Sequence, residues 1–209
     1  MAATLLIPGL NGSSDNHWQR SWARDHANAV VVEQEDWACP VIEEWQASLD
    51  EALSKTDGAI LVAHSLGCLL VASYAKRTLS RRIRGALLVA PCSLDAAVGL
   101  HPCMIRFGSE PLDRLPFPSL VIGSLNDPYM SPDQLDRHAR VWGSELSVIG
   151  FAGHINVDSG FGRWREGYGL FERLVLGGNR FPAEGHSATD LKPRLMPATL
   201  PASRHTGTP

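Results

Sequence analysis

The sequence lacks most of the signals that would place it in a specialised class. Its four cysteines, Cys39, Cys68, Cys92 and Cys103, are widely and irregularly spaced, with no C-x-x-C pair. That gives no support to a zinc site or a thioredoxin-like dithiol, and four reduced thiols are expected. No H-E-x-x-H motif or tight His/Asp cluster occurs, so no metal is expected. There is no dinucleotide fingerprint, and the glycine-rich stretch near the N-terminus lacks a following G-K-[S/T]. No cofactor is therefore expected. Charge excess is also missing. The formal net charge is −3 and no long Lys/Arg block appears, which argues against a nucleic-acid partner or a polybasic membrane anchor. The opening MAATLLIPG has no basic n-region and too short an apolar run for a signal peptide, so a cytoplasmic location is expected. The longest apolar run, Ala59–Ala75, approaches a membrane span in length. It carries His64, Ser65 and Gly67 at its centre, which fits strand, turn and helix better than one membrane helix.

What the sequence does contain is a rhythm. Short apolar runs recur at Thr4–Ile7, Ala29–Val32, Ala59–Ala63, Ala86–Ala90, Leu120–Ile122 and Leu146–Ile149. Each has the length of a buried strand, and most lack alternation, as in a parallel sheet covered on both faces. Helical patterns lie between several of them. Val41, Trp45, Leu49, Ala52 and Leu53 share one face, and Trp18 and Trp22 are spaced by one turn. Ser131-Pro132-Asp133-Gln134 has the form of a capping box with proline at the first helical position. Phe161, Trp164, Tyr168, Phe171 and Val175 predict an apolar stripe on a last helix. Alternating strands and helices predict an α/β layered fold with its site at the strand C-terminal ends. Residues 92–118, with four prolines, read as an irregular excursion over that edge. The expected domain is 1–177. Residues 178–209, rich in Pro, Ser, Thr and Gly, read as a disordered tail.

Ala63-His64-Ser65-Leu66-Gly67 follows one predicted strand and opens a helix, the context a nucleophile elbow requires. Ser65 there would stand at a helix N-terminus, where the Leu66 N–H can meet an oxyanion. Alanine stands at 63 where the usual pattern has glycine. A structural alternative is a simple N-cap serine. After the first strand, Pro8-Gly9-Leu10-Asn11-Gly12-Ser13-Ser14 can bring bare backbone close to a substrate. The N–H of Leu10 is the candidate second oxyanion donor, with Asn11 next; Ser14 or Asp15 would cap the following helix.

A base and an acid must accompany Ser65. His154 lies in a loop just past the last predicted strand, beside Gly153, and Asp127 lies just past the penultimate one, beside Pro128. The order Ser65, Asp127, His154, each after its own strand, is that of α/β hydrolases. The rival acids Asp113, Asp136 and Asp158 do not directly follow a strand. His64 adjoins Ser65 and is better placed to shape the site than to act as base. His26 and His138 read as solvated, and His101 falls in the excursion.

The segments LIPGLNGSSDNHWQRSW, AHSLG, SLNDPY and GFAGHINVDSGFGRW resemble the small serine hydrolases of the retinoblastoma-binding protein nine family. The resemblance spans about residues 3–176. It implies a single-domain α/β hydrolase with a mostly parallel sheet of about six strands flanked by helices and no large cap domain. It also implies Ser65 as nucleophile, Asp127 as acid and His154 as base. The expected activity is cleavage of a small ester, thioester or activated amide through an acyl-enzyme, with a small acyl substrate as partner. Asn11 and His64 are candidate substrate-site residues. Two other readings are an acyltransferase and a catalytically weak hydrolase fold used to bind a protein. No motif identifies a protein partner.

Overall fold

In a computed structural model, which describes residues 2–100 and 106–177, the chain forms three layers around one sheet. The strands are β1 (Ala3–Ile7), β2 (Ala29–Val31), β3 (Ala59–His64), β4 (Ile83–Val89), β5 (Ser119–Gly123) and β6 (Glu145–Val148). All neighbours pair in parallel, in the order β2-β1-β3-β4-β5-β6. The apolar runs become strands because both faces of the sheet are covered. Leu5 and Ile7 point into one core layer, and Leu6 between them points into the other.

The helices are α1 (Trp18–Asp25), α2 (Ile42–Ser54), α3 (Leu66–Ala72), α4 (Leu94–Leu100), α5 (Pro132–Trp142) and α6 (Glu166–Gly177). One core layer gathers Trp45, Leu49 and Leu53 of α2, the buried length of α3, and Leu135, Ala139 and Trp142 of α5. The other gathers Trp18 and Trp22 of α1 and Leu174 of α6. The order reverses at β1, which lies between β2 and β3. The loops after β1 and β3 therefore flank a switch point, where open α/β sheets place their sites.

The capping box at Ser131 forms as the sequence predicts, and Gly143 closes α5 in the left-handed conformation. Several expectations change. Residues 92–118 are not wholly irregular, because Ser93 caps α4 through its hydroxyl on the Ala96 N–H. The last helix begins only at Glu166. Phe161 and Trp164 precede it, after a left-handed Gly160, and Trp164 packs on Trp18 and Trp22 from outside the helix. Cys39 is disulfide-bonded, against the expectation of four reduced thiols, while Cys68 and Cys92 are free and buried. His138 is buried rather than solvated, with Nδ1 on the Gln134 carbonyl and Nε2 3.4 Å from Glu110. No helix among the described residues is long and apolar enough to cross a membrane. The tail expected at 178–209 lies outside the described residues, as do His101 and Cys103.

Candidate active site

Ser65 sits between β3 and α3 with φ 54° and ψ −124°. A non-glycine residue there is strained by about 1–3 kcal/mol, so the surrounding packing must impose it. That packing is legible atom by atom. A Cβ on Gly67 would stand 2.4 Å from the Ile7 carbonyl oxygen, so only glycine lets α3 start this close to β1. A Cβ on Gly9 would stand 2.7 Å from the Ser65 Cβ, so only glycine lets the first loop pass over the elbow. Ala63 is fully buried in regular strand, paired with Ile7 and Leu88, and its methyl does not prevent the turn.

The three residues expected to act together meet. Ser65 Oγ is 2.8 Å from His154 Nε2. His154 Nδ1 is 2.9 Å from both Asp127 carboxylate oxygens. The Asp127 and His154 side chains are 2% and 8% exposed, so this contact is shielded from solvent screening. The loops carrying them are tied to each other. The Leu125 N–H donates to the Gly150 carbonyl, the Gly153 N–H to Asn126 Oδ1 and the Ala152 N–H to Ser124 Oγ. The Tyr129 N–H donates to Asp127 Oδ1 and holds the carboxylate from behind. The His154 N–H donates to Ser159 Oγ, and Trp18 Nε1 donates to the Ile155 carbonyl, so α1 also fixes this loop. Gly153 takes φ 55°, the freedom its sequence position suggests, and Ile155 takes φ 48° without being glycine.

Leu10 and Leu66 both border a cavity of about 380 Å³ beside Ser65. Leu66 is the first residue of α3, where an N–H has no intrahelical acceptor. The Asn11 N–H does have one: it donates to the Trp37 carbonyl at 2.8 Å. That removes it as an oxyanion donor, although Asn11 still lines the cavity. His64 lines it too, and its Nε2–H donates to the His154 carbonyl. Burial, then the neighbouring His154 and His17, hold the His64 imidazole well below its ordinary pKa, so it stays neutral. It meets His154 at that backbone carbonyl and ring to ring at 4.9 Å, which fits a shaping role.

Some of the residues around Ser65 were not singled out by sequence. His17, not Ser14 or Asp15, caps α1, with Nδ1 accepting the Gln19 N–H at 3.3 Å. The His17 ring meets the His64 ring at 4.9 Å. Cys92 follows β4 and also borders the cavity, with a thiol that burial pushes up to about 12. Tyr129 packs its ring 4.4 Å from that of His154. The signal for Cys92 and Tyr129 was position, since each follows a strand end. Among the described residues no group of three or more His, Cys, Asp or Glu is placed to hold a metal.

A parallel sheet of this order, with a serine on the elbow after β3 and an acid and a histidine after β5 and β6, has the layout of an α/β hydrolase. The chain belongs to the serine hydrolase family, whose model matches residues 4–173. Among solved structures it is similar to a YdeN-like hydrolase from Pectobacterium atrosepticum, with 31% identity over 87% of this chain and 94% of that one, at a TM-score of 0.73. It is also similar to the ydeN gene product of B. subtilis, at 22% identity over 84% and 100% of the two chains, with a TM-score of 0.67. Thermogutta terrifontis esterase 2, solved phosphonylated by cyclosarin, shares the fold at 15% identity over 88% and 85%, with a TM-score of 0.65. No curated protein sequence matches the chain.

Proposed function

We propose that this serine hydrolase cleaves small esters, thioesters or activated amides, in the manner of a carboxylesterase, through an acyl-enzyme on Ser65. The observation that carries this reading is the unbroken hydrogen-bonded run from Ser65 Oγ through the His154 ring to Asp127. In it, His154 Nε2 takes the Ser65 proton as Oγ attacks the carbonyl carbon. Asp127 holds the Nδ1–H tautomer and stabilises the imidazolium that forms. The N–H groups of Leu66 and Leu10 receive the oxyanion, each worth roughly 3 kcal/mol in the transition state. The tetrahedral intermediate collapses, His154 gives its proton to the departing alcohol, thiol or amine, and the acyl group stays on Oγ. A water then gives up a proton to His154, attacks the ester carbon and releases the acid with Ser65 restored.

A cavity of about 380 Å³ is at the small end for ligand sites, which supports a short acyl group. The narrower resemblance to retinoblastoma-binding protein nine rests on the four segments quoted above and is part of this proposal. Binding to a retinoblastoma-type protein is not carried over. The reading as a silent binding fold rests on Ala63 and on the polar tail at 178–209; the first motive weakens because Ala63 sits in ordinary strand backbone, and the second lies outside the described residues. Labelling by a fluorophosphonate probe tests the proposal. The wild type should label and Ser65→Ala should not; equal labelling of the two would sink it.

A further inference from the structure

We propose that His17 is a specificity residue which hydrogen-bonds an uncharged oxygen of the substrate near the scissile carbonyl, so that the site selects small esters bearing such an oxygen over plain or anionic ones. This rests on the acyl-transfer reading above and names the substrate class within it. His17 is 5% exposed and borders the same cavity as Ser65 and His154. Its Nδ1 accepts the Gln19 N–H, which leaves the proton of a neutral imidazole on Nε2. No group among the described residues accepts that Nε2–H. The ring is held in place by His64 at 4.9 Å and Trp18 at 5.2 Å, so the donor is preorganised.

The charge state fits a neutral partner. Burial, then His154 and Arg20, lower the His17 pKa to about 4, so above pH 5 it is a donor without a charge. The other polar lining is also uncharged at Asn11, Ser14 and Asn156. Among the described residues no Lys or Arg lines the cavity, while Asp158 adds a carboxylate. A substrate carboxylate or phosphate would be desolvated there with no Lys or Arg of the described residues to meet it. An ether, hydroxyl or amide oxygen would pair with a donor that no described residue fills.

Two isosteric pairs test this, each differing by one CH2 exchanged for oxygen. They are nitrophenyl butyrate against nitrophenyl methoxyacetate, and butyl acetate against methoxyethyl acetate. Two variants lose the Nε2–H in different ways. His17→Asn keeps a helix cap, and His17→Phe keeps the ring packing. In both variants the kcat/KM ratio of ether to plain ester should fall about fivefold to tenfold in at least one pair, mainly through KM. Comparing variant with wild type cancels the intrinsic reactivity of each ester. The nitrophenyl monoester of succinic acid should be the poorest nitrophenyl substrate of the wild type. The proposal is overturned if both members of each pair change equally in both variants, which would put His17 on the reacting oxygen or in the scaffold alone. A preference for the succinate monoester also overturns it. Fluorophosphonate labelling of Ser65 is run alongside. Its loss in the wild type would sink the acyl-transfer reading, whereas intact labelling with no change in selectivity sinks only the role of His17.

Discussion

Ser65 and Ser131 each stand immediately before the first turn of a helix, and they spend that position in opposite ways. Ser131 adopts φ −68° and ψ 154°, its hydroxyl accepts the Gln134 N–H, and its own backbone N–H donates to Gln134 Oε1 to complete the capping box. Ser65 adopts φ 54° and ψ −124° and makes no side-chain cap bond at all. Its hydroxyl faces His154 instead. One serine gains local stability. The other forgoes a cap, accepts strain and is held by glycines at 9 and 67. The contrast separates a structural cap from a candidate nucleophile by geometry, where a short motif could not.

Exchanging each serine for alanine tests the contrast most severely. Ser65→Ala should lower kcat by roughly 10⁴ to 10⁶ fold, by analogy with other serine enzymes, with little effect on stability because no cap bond is lost. Ser131→Ala should cost about 1 kcal/mol of stability and leave ester hydrolysis as it was. Urea denaturation and a nitrophenyl ester assay on both variants read the two axes together. Equal behaviour of the two variants would reduce Ser65 to a cap.

The next effect comes from the loop over Ser65, which has no counterpart at Ser131. In Gly9→Ala the new methyl would meet the Ser65 Cβ at 2.7 Å and the His64 carbonyl oxygen at 3.0 Å. Those neighbours are close to backbone and cannot swing away, so the loop carrying Leu10 must shift. Displacing one oxyanion donor from its working position should cost about 10² in kcat. A steady-state assay with unchanged far-UV circular dichroism would show it. Full activity would mean that Leu10 is not a donor.

Acid should act on the same region. The unfolded chain protonates His17 near pH 6.5, whereas the folded chain holds it neutral down to about 4. The unfolded state therefore binds more protons in this window, and stability falls as pH drops through it. The difference corresponds to roughly 3 kcal/mol for His17, and His64 contributes in the same direction. Urea midpoints at pH 7, 5 and 4 should decline in the wild type and decline less in His17→Asn. A parallel decline would place the acid sensitivity elsewhere.

Much of this could be read from sequence because it depends on local pattern. All six strands were legible: burial on both faces leaves a short apolar run in the four inner ones, and the partly exposed edge strands β2 and β6 lie in short apolar runs as well. Ser65, Asp127 and His154 were legible because each lies just past such a run. What escaped depends on contacts across the chain. His17 is an unusual cap residue, and its place beside His64 appears only once α1 packs at the switch point. The loss of the Asn11 N–H to Trp37 is another distant contact. His138 was misread because its polar helix hid the partners, Glu110 and Trp142, that cover it. Phe161 and Trp164 carry the helical spacing of α6 but lie before it, in the irregular segment between the left-handed Gly160 and Glu166.

The smallest expected effect concerns the residue that made the elbow motif imperfect. Ala63 lies two residues before Ser65, fully buried, with strand backbone that alanine adopts without strain. Its methyl fits between Ile7 on one side and Leu88 on the other. Glycine there would relieve nothing, and it would add backbone freedom to the unfolded chain. Ala63→Gly should therefore cost about 0.5–1 kcal/mol of stability and change kcat/KM by less than about threefold, since a small elbow shift is worth under 1 kcal/mol. Rate and urea midpoint measured on the same preparation decide it. A tenfold rise in rate would show that the methyl restrains the elbow, and that the geometry at Ser65 is set partly from within β3 rather than by Gly9 and Gly67 alone.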